Sequence, residues 1–238
     1  MSTVIINPFL LGATYTIPFS GDFNGTDGYL AFTPASAGNR QVWTFSTWAN
    51  RDGTGRDSMF GAGGSDTVFH YIQFTAGNKL DVHEEGGPTI AKVSTATYTD
   101  TTNWHHWVVQ RNSTTVRVWL DGTEITAWDT NTNPTAVDGA VNNAVQQVIG
   151  GQSNVAVSTF FDGLMADVIM IDGTALDYTS FAEDVGGTWT PKNPAGLTFG
   201  DQGWWISDPS TGVDSSGNGN NFTKSGTIAQ SASTPTSP

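Results

Sequence analysis

Asn103-Trp-His-His-Trp-Val-Val-Gln-Arg-Asn-Ser-Thr-Thr-Val-Arg-Val-Trp-Leu-Asp-Gly-Thr-Glu-Ile125 is the stretch on which the fold of this chain turns. It closes the longest run without Gly or Pro, Thr89 to Asp121, whose Thr-, Val- and Trp-rich interior favours strands over helix. Val116, Val118 and Leu120 alternate with Arg117 and Trp119, so one face is apolar and the other is not. Trp107 and Val109 share a face in the run before. Asp121-Gly122 is a strong two-residue hairpin signal, and Glu124 and Ile125 begin the return strand. The expectation is an antiparallel pair whose buried face includes Trp48, Trp107, Val109, Val118 and Leu120.

The same grammar extends outward. Tyr15–Phe19 precedes a turn-rich Gly21–Gly28, Tyr29–Thr33 precedes Pro34–Asn39, and Val42–Trp48 precedes Asn50–Gly55. Short strands at this spacing predict an all-β sandwich or barrel. Leu164–Ile171 is apolar except at Asp167, as for a strand covered on both sides. Only Tyr178–Asp184 reads as helical, as a single turn or two, with Thr179 as N-cap. No fixed period recurs, which excludes solenoids and propellers. The expected organisation is a docking segment over 1–12, one sandwich over 13–224, and a Ser/Thr/Pro-rich tail over 225–238 that orders only against a partner.

The chain has 238 residues and no cysteine, which removes disulfides, thiolate metal sites and cysteine nucleophiles. Nine Lys+Arg against 22 Asp+Glu give a net charge of −13, so no nucleic-acid partner is expected. No run approaches the ~18 apolar residues of a membrane span. Met1–Leu11 lacks a basic start, so it does not read as a secretory signal, and release by host lysis is the expected route out of the cell. Only 13% of residues are charged, about half the usual share; the surface is expected to be rich in Thr, Ser, Asn and Gly.

Three segments in order resemble the laminin-G/pentraxin-like branch of the concanavalin A superfamily: Trp43-Thr-Phe-Ser-Thr-Trp48; Asn103–Val109 with Val116–Gly122; and Ile149-Gly-Gly151 with Phe161–Val168 and Ala175-Leu176. The resemblance spans roughly Gly21 to Glu183. It implies an all-β, concanavalin A-like jelly-roll of two antiparallel sheets with minimal helix. The later pair Phe199–Trp205 and Asp214-Ser-Ser-Gly-Asn-Gly-Asn-Asn-Phe222 resembles bacteriophage tail-fibre and capsid-associated proteins. That likeness implies a virion structural module, a capsid decoration or fibre component made in the host cytoplasm. Its expected partners are other virion proteins, a homotrimer and host glycans, with Ile5, Ile6 and Phe9 docking on a neighbour. The rival expectation is a secreted or cell-surface carbohydrate-binding module related to glycoside hydrolases.

Enzymatic relatives of this fold carry two carboxylates ~5–5.5 Å apart, commonly as E-x-D-x-E on one strand. Of the four glutamates, Glu84 and Glu85 are adjacent, point to opposite faces, and read as a solvated strand end, so no enzyme is expected. His105 and His106 likewise face apart and read as structural, alongside His70 and His83. Asp214, Ser216 and Asn218 occupy positions 1, 3 and 5 of a calcium-type loop with Gly219 at 6, but Ser225 stands where the closing carboxylate belongs. An Asx- and glycine-rich turn is the competing reading, so the cofactor expectation is none, with calcium the candidate. Trp119, Trp128, Trp189 and Trp205, with Trp204 beside the last, are the candidate sugar-stacking rings, each with packing against a loop as its ordinary alternative.

Overall fold

The computed structural model describes residues 15–235. Ile5, Ile6 and Phe9 lie outside them. Two large antiparallel sheets stack face to face. The first orders Thr123–Glu124, Thr115–Leu120, His105–Asn112, Val42–Arg51, Asp162–Asp172, Ser20–Asn24 and Ile228–Ser231, with Trp204–Ile206 also paired to Asp162–Asp172. The second orders Trp128–Thr132, Ile90–Thr97, Lys79–Glu85, Val68–Phe74, Asp57–Ser65, Gln146–Ile149, Tyr29–Phe32 and Thr223–Ser225. This is the jelly-roll sandwich expected.

The deciding stretch folds as read. Trp107 pairs with Leu120 and Val109 with Val118. Asp121 and Gly122 take φ of 46° and 76°, the left-handed pair of a type I′ turn. Trp48, Trp107, Val109 and Val118 are buried, and Leu120 packs half-buried against the core. Between the sheets, Phe23, Trp43, Phe45, Phe60, Phe74 and Met165 interdigitate.

A third layer departs from a simple sandwich. The chain after Asp172 folds back over the outer face of the first sheet. There Phe181 and Phe199 cover Val108, Trp119, Ile169 and Ile171, while Ala182 and Ile17 cover Trp48 and Ala166. This explains why Leu164–Ile171 is apolar on both faces. The exception, Asp167, sits at a register shift between Ala166 and Ile169 with φ of 43°. It accepts the Tyr15 hydroxyl at 2.9 Å and the Trp205 indole N–H at 2.7 Å.

Four local expectations are corrected. Tyr15–Phe19 is not a strand; pairing starts at Ser20. The helical reading shrinks to one 3-10 turn, Tyr178–Ser180, capped by Asp177 rather than Thr179 because the Asp177 carboxylate accepts the Thr179 N–H. Ala182–Val185 is instead a hairpin strand against Thr188–Pro191. The tail is no loose arm over its described part: Thr223–Ser225 pairs with Tyr29–Ala31, and Ile228–Ser231 pairs with Ser20–Phe23. Buried Ile228 anchors it, and one large aliphatic side chain inside a polar run was enough.

Candidate functional site

Val68–Phe74 and Lys79–Glu85 are neighbours in the second sheet, and the period of two divides their side chains cleanly. His70, Ile72, Phe74, Leu80, Val82 and Glu84 point inward and are fully buried. Phe69, Tyr71 and Gln73 point outward, opposite Glu85, His83 and Asp81 respectively. Three of these outward residues are aromatic and half-buried. Tyr71 and His83 stack with centroids 5.0 Å apart at 15°, and Phe69 lies 6.0 Å from Tyr71 and 5.9 Å from His83.

Polar groups flank the rings. Gln73 donates to Asp81 at 3.3 Å, and the His83 imidazole lies 3.3 Å from Glu85. Burial pushes the Asp81 carboxyl above its ordinary range, opposed by the Gln73 amide. Burial, then Asp81, raises the Tyr71 phenol. Beside Tyr71 the facing residue is Gly61. A Cβ there would meet the Ser153 N at 2.6 Å and Gly151 O at 2.7 Å, so glycine admits the Gln152–Ser153 hairpin onto this face. The hairpin walls one flank of the rings; on the other flank His83 faces only the small Ala91. The result is a shelf of near-parallel rings with the exposed Glu85 carboxylate at one end, while Asp81 and Gln73 are buried at the other and bonded to each other; rings and an acceptor are what this face offers a sugar.

The signal was present in the sequence as Phe69-x-Tyr71-x-Gln73 and Asp81-x-His83-x-Glu85, but the tryptophans drew attention elsewhere. Asp81, His83 and Glu85 also fall on alternate positions of one strand, with the spacing of E-x-D-x-E. His83 replaces the central acid and Asp81, tied to Gln73, replaces the first.

Of the expected sugar-stacking rings, Trp119 is 2% exposed. It is a correction: the returning chain puts Tyr178 and Phe181 over it. Trp205 packs parallel to Phe199 at 4° and spends its N–H on Asp167. Trp204 is a core residue. Trp128 packs half-buried on the core, with the Lys92 ammonium 4.9 Å from its ring. Trp189 lines a pocket with Trp48 and Trp104.

Glu84 is also corrected. It is no solvated end: it sits in the core, accepts the Ala140 N–H, and lies 3.5 Å from Arg111 and 3.9 Å from His70. Burial pushes its carboxyl up to about 7 and the His70 imidazole down to about 3. His105 and His106 do face apart. His105 bonds Asp121 at 2.7 Å, whose hydrogen bond raises its pKa; His106 is buried.

Asp214, Ser216 and Asn218 converge, but on each other. Asp214 Oδ1 accepts the Trp205 and Ser216 N–H groups, and Oδ2 accepts the Ser216 hydroxyl and the Asn220 N–H. The Asn218 amide donates to the Gly200 and Gly203 carbonyls. A carboxylate holding four donors has no lone pair left for a cation, so this donor set fits the self-bonded turn and not calcium. Among the described residues no group of three or more His, Cys, Asp or Glu side chains is placed to hold a metal.

Two stacked antiparallel sheets bearing a ring-lined outer face define a lectin-like jelly-roll. Residues 24–177 match the laminin G-type family described as the concanavalin A-like lectin/glucanases superfamily, and the chain belongs to that superfamily. No curated protein sequence matches the chain. A candidate carbohydrate-binding protein from Bacteroides ovatus is similar in structure, with a TM-score of 0.63 at 16% identity over 91% of this chain and 60% of that one. A heptameric SAP-like pentraxin from Limulus polyphemus is similar at 0.50 and 13%, over 69% and 80%. At these identities the likeness is one of fold.

Proposed function

We propose that this protein is a non-catalytic, lectin-like module that binds a glycan along the outer face of its second sheet, displayed on a bacteriophage particle as a capsid decoration or fibre component. The observation that carries the binding is the shelf of Phe69, Tyr71 and His83, half-buried and near-parallel, with the exposed Glu85 carboxylate beside His83. Cross-strand ring pairs stabilise any sheet by ~0.2–1 kcal/mol. That alone does not call for an exposed carboxylate at the end of the row or a hairpin wall along one flank.

Binding without hydrolysis is supported by the same strand. A retaining glycosidase of this fold needs one free carboxylate nucleophile and one proton donor; here the strand centre is His83, and Asp81 is held by Gln73. The particle setting is supported by the resemblance of the Phe199–Phe222 region to phage proteins and by the weakly charged surface. A glycan array with the purified protein and its Tyr71→Ala variant tests the binding. Retention of glycans by the parent and loss by the variant is expected. Equal retention by both removes the shelf from the account, and release of reducing ends from a bound glycan, abolished by Asp81→Asn or Glu85→Gln, overturns the non-catalytic reading. Association with intact particles tests the setting; glycan affinity without it favours the carbohydrate-binding-module rival.

A further inference from the structure

We propose that the pocket walled by Trp48, Trp104 and Trp189 is a second ligand site, on the opposite sheet, that takes one uncharged sugar ring. Its volume is about 320 Å³, within the ~300–1,000 Å³ of small-ligand sites. Trp48 stands on the outer face of the first sheet and stacks on His106 at 4.9 Å and 26°. Trp189 arrives on the Thr188–Pro191 strand, and its indole N–H donates to His106 Nδ1 at 3.2 Å. An indole N–H can only donate. His106 Nδ1 therefore carries no proton, and its Nε2–H turns to the Ser46 hydroxyl at 2.9 Å. One neutral histidine thus fixes two of the three walls.

The rim is what marks a ligand rather than packing. Trp104 is half-buried, and its indole N–H has no hydrogen-bond partner among the described residues. Asn103 spends its amide N–H on Asp100 and Thr102, and its side-chain carbonyl accepts nothing from the described residues. An unspent donor and an unspent acceptor therefore come from adjacent residues, with the Thr188 hydroxyl on the same lining; the Thr102 hydroxyl there is spent on Asp100. Pro235 is the remaining lining residue, so no charged side chain lines the pocket in a chain of net charge −13. A charged ligand would be desolvated there without a counter-ion, whereas a neutral pyranose offers an apolar face to the half-buried Trp104 and Trp189 rings, with buried Trp48 beneath them, and hydroxyls to the rim. The pocket stands apart from the shelf and does not depend on it.

The nine tryptophans give resolved indole N–H signals in a ¹⁵N spectrum of the whole chain. The probes are methyl β-glucoside, methyl α-mannoside, lactose and sialyllactose. At least one neutral probe is expected to shift the Trp104 and Trp189 signals. Asn103 is exposed, so Asn103→Ala should fold and, by removing the rim acceptor without adding a charge beside Asp100, weaken that binding by roughly tenfold. Trp104→Phe, which keeps a ring but loses the donor, is expected to weaken it as well. Tyr71→Ala should leave the shifts intact, which separates failure of this site from failure of the shelf. Neutral probes that move neither signal, shifts unchanged in both rim variants, or sialyllactose binding tighter than lactose would each overturn the proposal.

Discussion

At the scale of single residues, the alternation of Val116–Leu120 was legible, and so was the face on which Trp119 stands. What covers that face was not, because the cover comes from residues about sixty positions later. A period-two pattern says which way a side chain points and is silent on whether a third layer lies above it. Trp119→Ala should therefore cost about 3–5 kcal/mol of stability and leave glycan binding unchanged; a urea melt and the same array measure both. Glu84 was misread for a related reason. Glu84-Glu85 before two glycines looks like a wet strand end, yet the 138–142 loop closes over Glu84 through the Ala140 N–H. The shelf was missed because Phe69, Tyr71 and His83 are individually ordinary, and only the pairing of Tyr71 with His83 makes them one surface.

At the scale of elements, the hairpin at Asp121-Gly122 and the Trp204/Trp205 division were readable because turn chemistry and strand period are local. The Ile228–Ser231 strand was not, since its pairing partner lies at the far end of the sequence. Deleting residues 226–238 strips pairing from the Ser20–Asn24 strand and uncovers Phe23. A loss of about 3 kcal/mol or more is expected, visible as a lowered urea midpoint. If that truncation is silent, the strand is a passenger on the sheet. The Gln152–Ser153 hairpin supplies an element-level test of the shelf. Gly61→Ala should push the hairpin outward, because its Cβ would lie 2.6 Å from the Ser153 N, and weaken glycan retention more than stability.

For the whole molecule, four buried titratable groups pull against one another in the response to pH. Glu84 and Asp167 are each raised by burial to about 7, from 4.5 and 3.8. His70 and His106 are each lowered by burial to about 3, from 6.5. Between about pH 4.5 and 6.5 the folded chain holds protons on the two acids and the unfolded chain holds them on the two histidines. The proton counts match, so these groups leave stability flat across that window. Below it the unfolded chain gains the acids' protons as well, and stability falls as pH drops. Glu84→Gln removes a proton from the folded count only, so relative to the parent its stability should decline with falling pH inside that window. Urea midpoints from pH 4 to pH 8 for both proteins check this.

The pairing of Ser20–Phe23 with Ile228–Ser231 has a consequence for synthesis. The ribosome emits the chain from one end, so the Ser20–Asn24 strand waits for almost the whole chain before its outer neighbour exists. Throughout that interval one margin of the first sheet is open to any passing strand, and the closing contact spans nearly the full sequence, which makes it slow to find. The nascent protein should be more prone to aggregate than the finished one, and its yield in cells should respond to chaperone supply more steeply than its final stability suggests.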